Sequence, residues 1–381
     1  MKLLYNLSVC QPVGNVKRHG GGIYGEIVFK RIVERGLPVS CCYDGNKWLN
    51  PDVKRIIEDN SVDCFDITNN PIEDIVRKNG FDTLYTPIFI GLESYNACRI
   101  IATIHGLRSV EMPIDDYFHK YRSPFKEKIK FLLSKYFSWY WNKRTRWGYE
   151  IIGMKNNLDF VTVSYHSQAG FKAFFPEYFK DKDIPVFYSP STIGNDVINK
   201  KEYQDKYFLL VSAGIPAKNN LRAVIALDKL FSVGMLNDYN VRITGMKDGI
   251  KYKYQIKNPD RFKFMGYVSD HELHQLYHDA YCFIYPSLNE GFGYPAVEAM
   301  SYGVPVLASP FSSITEICGN AALYFNPFSV EEIMNRIIMI TNLTKHDRLS
   351  DLAKKRYQIV YDKQNKDLDL LIDYIYNISE H

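Results

Sequence analysis

No stretch of 18 consecutive apolar residues occurs in this 381-residue chain, so no membrane-spanning helix is expected. An excess of one charge is also lacking. The 47 basic and 43 acidic residues leave a net charge of +4, a balance that does not mark a nucleic-acid binder. Cysteine is sparse and unpatterned: the seven residues (Cys10, Cys41, Cys42, Cys64, Cys98, Cys282, Cys318) contain no C-x2-C pair and are odd in number. They read as reduced, mostly buried thiols of a cytosolic protein rather than a disulfide framework. The opening MKLLYNLSVCQPVG, broken by Asn6 and Ser8, is too short for a secretory apolar region. There is no solenoid repeat and no low-complexity run. Apolar matter is plentiful, 46% of residues, and a chain of this length can fill the cores of two domains.

The organising stretch is 281–309, YCFIYPSLNEGFGYPAVEAMSYGVPVLAS. Tyr281–Tyr285 is an apolar run stopped by Pro286 and reads as a buried strand. A loop follows with Gly291 and Gly293 around Phe292, then Tyr294. Pro295 suits a first helical residue, Ala296–Ser301 a short helix closed by Gly303, and Val304–Ala308 the next strand. Strand, glycine loop, helix and strand belong at the ligand-binding edge of a parallel sheet. A helix N-terminus favours phosphate, and glycine lets backbone approach a ligand. Glu290 and Glu298 accept hydrogen bonds from hydroxyl groups such as those of sugars and ribose. The alternative is a helix start with a stabilising Glu and a flexible loop.

Other stretches supply weaker signals. Leu3–Val9 reads as the first strand, Ile23–Arg35 as a helix closing at Gly36, and Leu37–Tyr43 as a second strand. Gly20-Gly21-Gly22-Ile23-Tyr24-Gly25 fits G-x-G-x-x-G, but roughly ten residues separate it from the preceding strand, which speaks against a nicotinamide site. Arg99–Gly106 is an apolar strand that delivers His105 at its C-terminal end, where residues of a parallel sheet face ligands. Residues 120–147 carry nine Lys and Arg against the single acid Glu127, with Trp139, Trp141 and Trp147. They read either as peripheral contact with an anionic membrane or as a long helix with a solvated basic face. His274 and His278 share a helix face, but no carboxylate or cysteine cluster joins them, so no metal site is expected.

EGFGYPAVE, with Pro286-Ser287 before it and EAMSYGVPVLAS after it, resembles the E-x7-E donor signature of the retaining glycosyltransferases of family 4. The likeness runs without a gap from about Phe262 to Glu332 and is patchier elsewhere. It implies the GT-B fold: two α/β Rossmann-like domains, with mainly parallel sheets, facing across a cleft. Residues 1–190 would form the acceptor-side domain, with a last helix at about 362–381 crossing back to it, and 191–361 the nucleotide-sugar domain. The stretch 188–201 corresponds to the linker. His105 matches the family's active-site histidine and implies a hydrogen bond to a donor-sugar hydroxyl. Gly21 and Gly22 match the glycine loop by the acceptor and diphosphate. In Ser212-Ala213-Gly214-Ile215-Pro216-Ala217-Lys218-Asn219 the family's Lys-Asn is present, whereas Ala213 stands at its Arg position. Lys218 is then the diphosphate lysine, and Arg222 a substitute for the missing Arg.

The resemblance therefore implies a retaining transferase that moves a sugar from a UDP- or GDP-linked donor to a hydroxyl of a glycan or lipid-linked acceptor, in surface polysaccharide or glycoconjugate synthesis. Glu290, His105 and Lys218 would serve catalysis. Glu298 would hold the ribose; Gly291, Phe292, Gly293, Tyr294, Asn219, Arg222 and Gly245 would line the donor. No cofactor beyond the nucleotide sugar, no metal and no nucleic acid is implied. The expected location is cytoplasmic, with peripheral contact at the inner membrane face. A non-catalytic binder of nucleotide sugars or partners, motivated by Ala213, and another GT-B activity such as a sugar-nucleotide epimerase are the competing readings.

Overall fold

The computed structural model describes residues 1–14, 17–112, 136–193, 205–247 and 256–377, with 115, 117, 120, 125, 129, 132 and 133. It divides into two compact units. One comprises Met1–Leu107, Arg146–Thr192 and Asp362–His381; the other comprises Arg108–Thr145 and Ile193–Tyr361. Residues 108–145, expected with the first domain, belong with the second unit.

The first unit holds six parallel strands, β1 Leu3–Asn6, β2 Ser40–Tyr43, β3 Cys64–Asp66, β4 Thr83–Thr86, β5 Arg99–Ile104 and β6 Leu158–Thr162, in the order β3-β2-β1-β4-β5-β6. The central strands β1 and β4 are buried along their whole length, as in a parallel sheet covered on both faces. β1 stops at Asn6, short of Val9. Asn6 Oδ1 accepts from the Ser8 amide (3.2 Å) and the Ser8 hydroxyl (2.6 Å), a local bond that turns the chain out of the sheet. The following helix is Gly20–Glu34, three residues earlier than expected, because His19 Nδ1 caps it by accepting from the Gly22 amide at 3.1 Å. Glycines 20–22 are its first turn rather than a loop.

The second unit holds β7 Lys206–Leu210, β8 Tyr239–Ile243, β9 Phe262–Phe264, β10 Cys282–Tyr285, β11 Val306–Ala308 and β12 Ala322–Tyr324, all parallel, in the order β12-β11-β10-β7-β8-β9. Read from the other edge, this repeats the first sheet's order. Both sheets are doubly wound, reversing direction between β1 and β4 and between β7 and β10, and ligands bind beyond the strand ends at such reversals. Tyr207, Phe208, Leu209 and Leu210 have no exposed surface, and burial of each large side chain is worth about 1.5–3 kcal/mol. Helices Asn220–Ser232 and Val330–Thr341 pack together over this core.

The last helix, Leu343–Asn377, starts well before the crossing-back helix expected at about 362–381. Its end is tied within the first unit: Arg31 donates to both Asp369 oxygens (2.8 and 2.9 Å), and Gln364 Nε2 donates to the Ser189 carbonyl (2.6 Å). All seven cysteines are free, five of them buried.

Candidate functional site

The loops after β7 and β10 meet at the sheet reversal of the second unit. Leu288 donates its amide to Ala217 O (2.8 Å), and Asn219 Nδ2 donates to Pro286 O (3.1 Å) and Pro327 O (2.7 Å). Asn219 sits in the left-handed region, φ 55°, and is wholly buried. Its donors are spent joining three loops, so the donor contact expected of its side chain is replaced by a structural one. This joint presents Lys218 to Glu290.

Lys218 Nζ lies 2.7 Å from Glu290 Oε1, with side-chain exposures of 11% and 7%. The Ser287 hydroxyl donates to the same carboxylate oxygen. The Glu290 main chain is also held: its amide donates to Ser312 Oγ (2.7 Å), and its carbonyl accepts from Ser313 Oγ (3.0 Å). Ser313 Oγ reaches the Phe292 carbonyl too (2.8 Å), fixing the glycine loop. Burial alone would push the Glu290 carboxyl up. The Lys218 charge and hydrogen bond, with Ser287 and Arg108, outweigh it and hold the pKa below the usual carboxylate value. Glu290 is thus a fixed, ionised carboxylate beside a fixed ammonium.

The helix after the loop is Tyr294–Ser301, one residue earlier than expected, which places Glu298 in its second turn. Gly293 caps it at φ 115°, a conformation that L side chains rarely adopt. Burial, then the nearby Glu298 carboxylate, raises the Tyr277 phenol well above its ordinary pKa. Glu298 is therefore near enough to the buried Tyr277 phenol to act on its charge. Phe292 is buried edge-on to Tyr294, their centroids 5.5 Å apart, and Gly291 is half-buried.

Three sequence expectations change. Arg222 is not available as a phosphate ligand: it grips Asp115 through both oxygens (2.6 and 2.7 Å) and stacks 3.7 Å from the Tyr117 ring. Ala213, at the family's Arg position, is fully buried in the core cluster, where a guanidinium would be desolvated. Gly245, at φ +84°, faces the chain itself; a Cβ there would lie 2.9 Å from Ser212 Cα and 3.1 Å from the Ala213 amide.

In the first unit His105 follows β5 directly. Its Nε2 donates to the Pro87 carbonyl at 2.8 Å, and its ring meets Tyr24 edge-on at 4.8 Å. Burial lowers its pKa to about 4, so the ring is neutral near pH 7 with Nδ1 as the acceptor. A Cβ on Gly21 would come within 2.7 Å of Ile88 Cδ1 and 3.7 Å of His105 Nε2, so Gly21 leaves room beside the histidine. A Cβ on Gly22 would meet Cys10 O at 2.7 Å; that glycine serves packing. Among the described residues no group of three or more His, Cys, Asp and Glu is placed to hold a metal. His274 Nδ1 instead bonds the Tyr302 hydroxyl (2.9 Å).

Sequence reading missed Ser287, Ser312 and Ser313, which clamp Glu290. It also missed Arg108 and Glu111, which come from a segment 180 residues away in the chain. Arg108 Nη2 is 3.7 Å from Glu290 Oε2, and Asn289 Nδ2 donates to Glu111 at 2.7 Å. The serines stand inside or just after the quoted motif and could have been read from it; nothing local marks Arg108.

Two doubly wound α/β units with this loop pair define a GT-B protein. Residues 195–356 match the family model of glycosyl transferases group 1. O-antigen chain mannosyltransferase RfbU of Salmonella typhimurium is 37% identical over 149 residues, 38% of this chain and 40% of that protein. O-antigen chain mannosyltransferase B of Escherichia coli is 46% identical over 76 residues, 20% of each chain. These matches thus span two fifths and one fifth of the two relatives' lengths. The crystal structure of Anabaena HepE in complex with UDP superimposes with a TM-score of 0.68 over 99% of this chain and 100% of that one, at 16% identity. The second unit is thus similar to the glycosyl transferases group 1, and the likeness to the solved structure shows the fold.

Proposed function

We propose that the protein transfers a mannosyl residue, with retention, from GDP-mannose to a hydroxyl of a glycan or lipid-linked acceptor during surface-polysaccharide synthesis. The Lys218–Glu290 pair carries the reading: a buried ammonium and an ionised carboxylate stand where a doubly wound sheet binds its ligand. Mannose is favoured because the relatives RfbU and mannosyltransferase B bear that activity in their names. A UDP-sugar is the competing donor.

In this reading Lys218 stabilises the charge that builds on the departing diphosphate, and Glu290 holds donor-sugar hydroxyls. Glu298 binds the ribose hydroxyls, and His105, as a neutral ring, accepts a sugar hydroxyl at Nδ1. The acceptor attacks from the leaving-group face, and the leaving phosphate oxygen takes its proton. Positioning and electrostatics carry the rate, with no covalent sugar intermediate on a second carboxylate.

Peripheral contact with the inner membrane face forms part of the proposal. Much of 120–147 lies outside the described residues. Phe125, Ile129, Leu132, Leu133 and Tyr136 are helical, recur at i, i+4, i+7, i+8 and i+11, and are exposed, Phe125 by 76% and Tyr136 by 75%. That apolar stripe in a strongly basic stretch suits an anionic bilayer surface. Among the described residues no helix is long and apolar enough to cross a membrane.

The test is nucleotide release from GDP-mannose, UDP-glucose and UDP-N-acetylglucosamine by wild type, Glu298→Gln and His105→Ala. Slow hydrolysis of GDP-mannose is expected. Glu298→Gln should weaken GDP binding about tenfold, by loss of one charge-assisted hydrogen bond, and leave the 2′,3′-dideoxy nucleotide unaffected. Binding of none of the nucleotides by wild type would overturn the proposal.

A further inference from the structure

We propose that Arg108 is a second cationic arm of the donor site, binding the donor diphosphate beside Lys218 and replacing the arginine whose position is taken by Ala213. The inference rests on the donor-site reading above and adds to it a residue from outside the motif.

The segment that carries Arg108 is built into the second unit. Arg108–Glu111 is a single helical turn. Glu111 accepts from Asn289, the neighbour of Glu290, at 2.7 Å. Further on, Asp115 makes its two-pronged bond with Arg222; both side chains are at least 94% buried, and Arg222 Nη1 also donates to Asn219 Oδ1 at 2.8 Å. The segment is therefore bonded to the β10 loop through Asn289 and to the Lys218–Asn219 turn through Arg222. A buried bidentate pair fixes geometry as well as adding energy.

The charges at this point are unevenly committed. Arg222 is fully engaged, and Lys218 is paired at 2.7 Å. Among the described residues Arg108 makes one long contact, 3.7 Å to Glu290 Oε2, and its side chain is 49% exposed. At 3.7 Å, with half of the Arg108 side chain in water, the contact holds the guanidinium weakly, so it can turn to a better partner at little cost. A diphosphate beside Lys218 offers one: guanidinium binds phosphate oxygens in a fork, which a lone ammonium cannot do. Lys218, Glu290 and Arg108 sum to a single positive charge, and this cluster lacks the compensation for a diphosphate unless both cations take part. The Asp115–Arg222 bond is in this view a positioning pair. It spends one arginine to hold the segment that delivers another.

The experiment is a calorimetric titration of the full-length wild type, Arg108→Ala and Arg108→Lys with GDP, GMP, UDP and UMP. Circular dichroism and melting confirm that each variant is folded. With the nucleotide that wild type prefers, Arg108→Ala should lose about tenfold in diphosphate affinity, equivalent to about 1.4 kcal/mol, and under twofold for the monophosphate. Arg108→Lys should recover part of the loss, and donor hydrolysis should fall in step with diphosphate affinity. Equal losses for diphosphate and monophosphate, or no loss in either, would overturn the proposal while leaving the donor site standing. Unchanged donor hydrolysis with a raised acceptor KM would assign Arg108 to an acceptor phosphate and overturn it too. Failure of wild type to bind any of the four nucleotides would remove the donor site itself, and Arg108's role with it.

Discussion

Replacing Lys218 by Met should turn Glu290 from a fixed anion into a stranded one. The ammonium is 2.7 Å from a carboxylate whose side chain is 7% exposed, and Met keeps the stem's bulk while removing the charge. Breaking a buried pair from one side costs about 3–5 kcal/mol. Ser287 still donates to the carboxylate and Arg108 remains 3.7 Å away, so the lower end, about 3 kcal/mol, is expected near pH 7. For a unit of this size, each kcal/mol moves the melting midpoint by about 2–4 °C, which gives a drop of roughly 6–12 °C.

The pH dependence carries the sharper test. In wild type the folded pKa of Glu290 is depressed, so its contribution is present above the unfolded value of about 4.3 and is lost as pH falls through the folded pKa. In Lys218→Met burial dominates and the folded pKa rises, so the sign reverses. The variant is then destabilised as pH climbs above about 4.3, and the gap to wild type shrinks on acidification. Melting curves at pH 7 and pH 4.5, with Glu290→Gln and the double variant beside them, complete the cycle. The double variant should recover most of the loss. Additive effects of the two single changes, or a Lys218→Met deficit independent of pH, would refute the ion-pair argument.

Two further outcomes follow from the geometry. His105, with its pKa near 4, should remain neutral through the working range, so its imidazole carbon resonances should titrate only below about pH 5. Because that pKa is depressed below the unfolded value of about 6.5, its stabilising share is complete above 6.5 and drains away as pH falls toward 4. Titration of the ring near 6.5 would show it to be far less buried. Gly245→Ala combines φ +84° with a Cβ placed 2.9 Å from the Ser212 backbone, so a loss of about 1–3 kcal/mol is expected. Since that backbone leads into the Lys218 turn, GDP affinity should fall with the melting midpoint. An unchanged midpoint would dismiss the close approach.

Local chemistry by itself determined much of this protein. Apolar runs broken by proline and glycine located the strands, and the spacing of Gly291, Gly293, Glu290 and Glu298 marked the candidate ligand loop after β10, because these are short-range patterns. Lys218 could be named only through the family resemblance, whose Lys-Asn pair is matched at 218–219. The errors were also local: Asn6 ended β1 and His19 started a helix through side-chain bonds that periodicity does not register.

Only the tertiary structure decided which polar residues are free for a ligand. Arg222 and Asn219 look like donor contacts in sequence, but Asp115 and the carbonyls of Pro286 and Pro327 already hold them. Ala213 looks like a lost arginine, but its position points into the core. Arg108 looks like an ordinary basic residue after a strand, yet it stands beside Glu290, 182 positions further along the chain. A hydrogen-bonding group can be spent once, and its partner is chosen by the packing of distant segments, which no local pattern encodes.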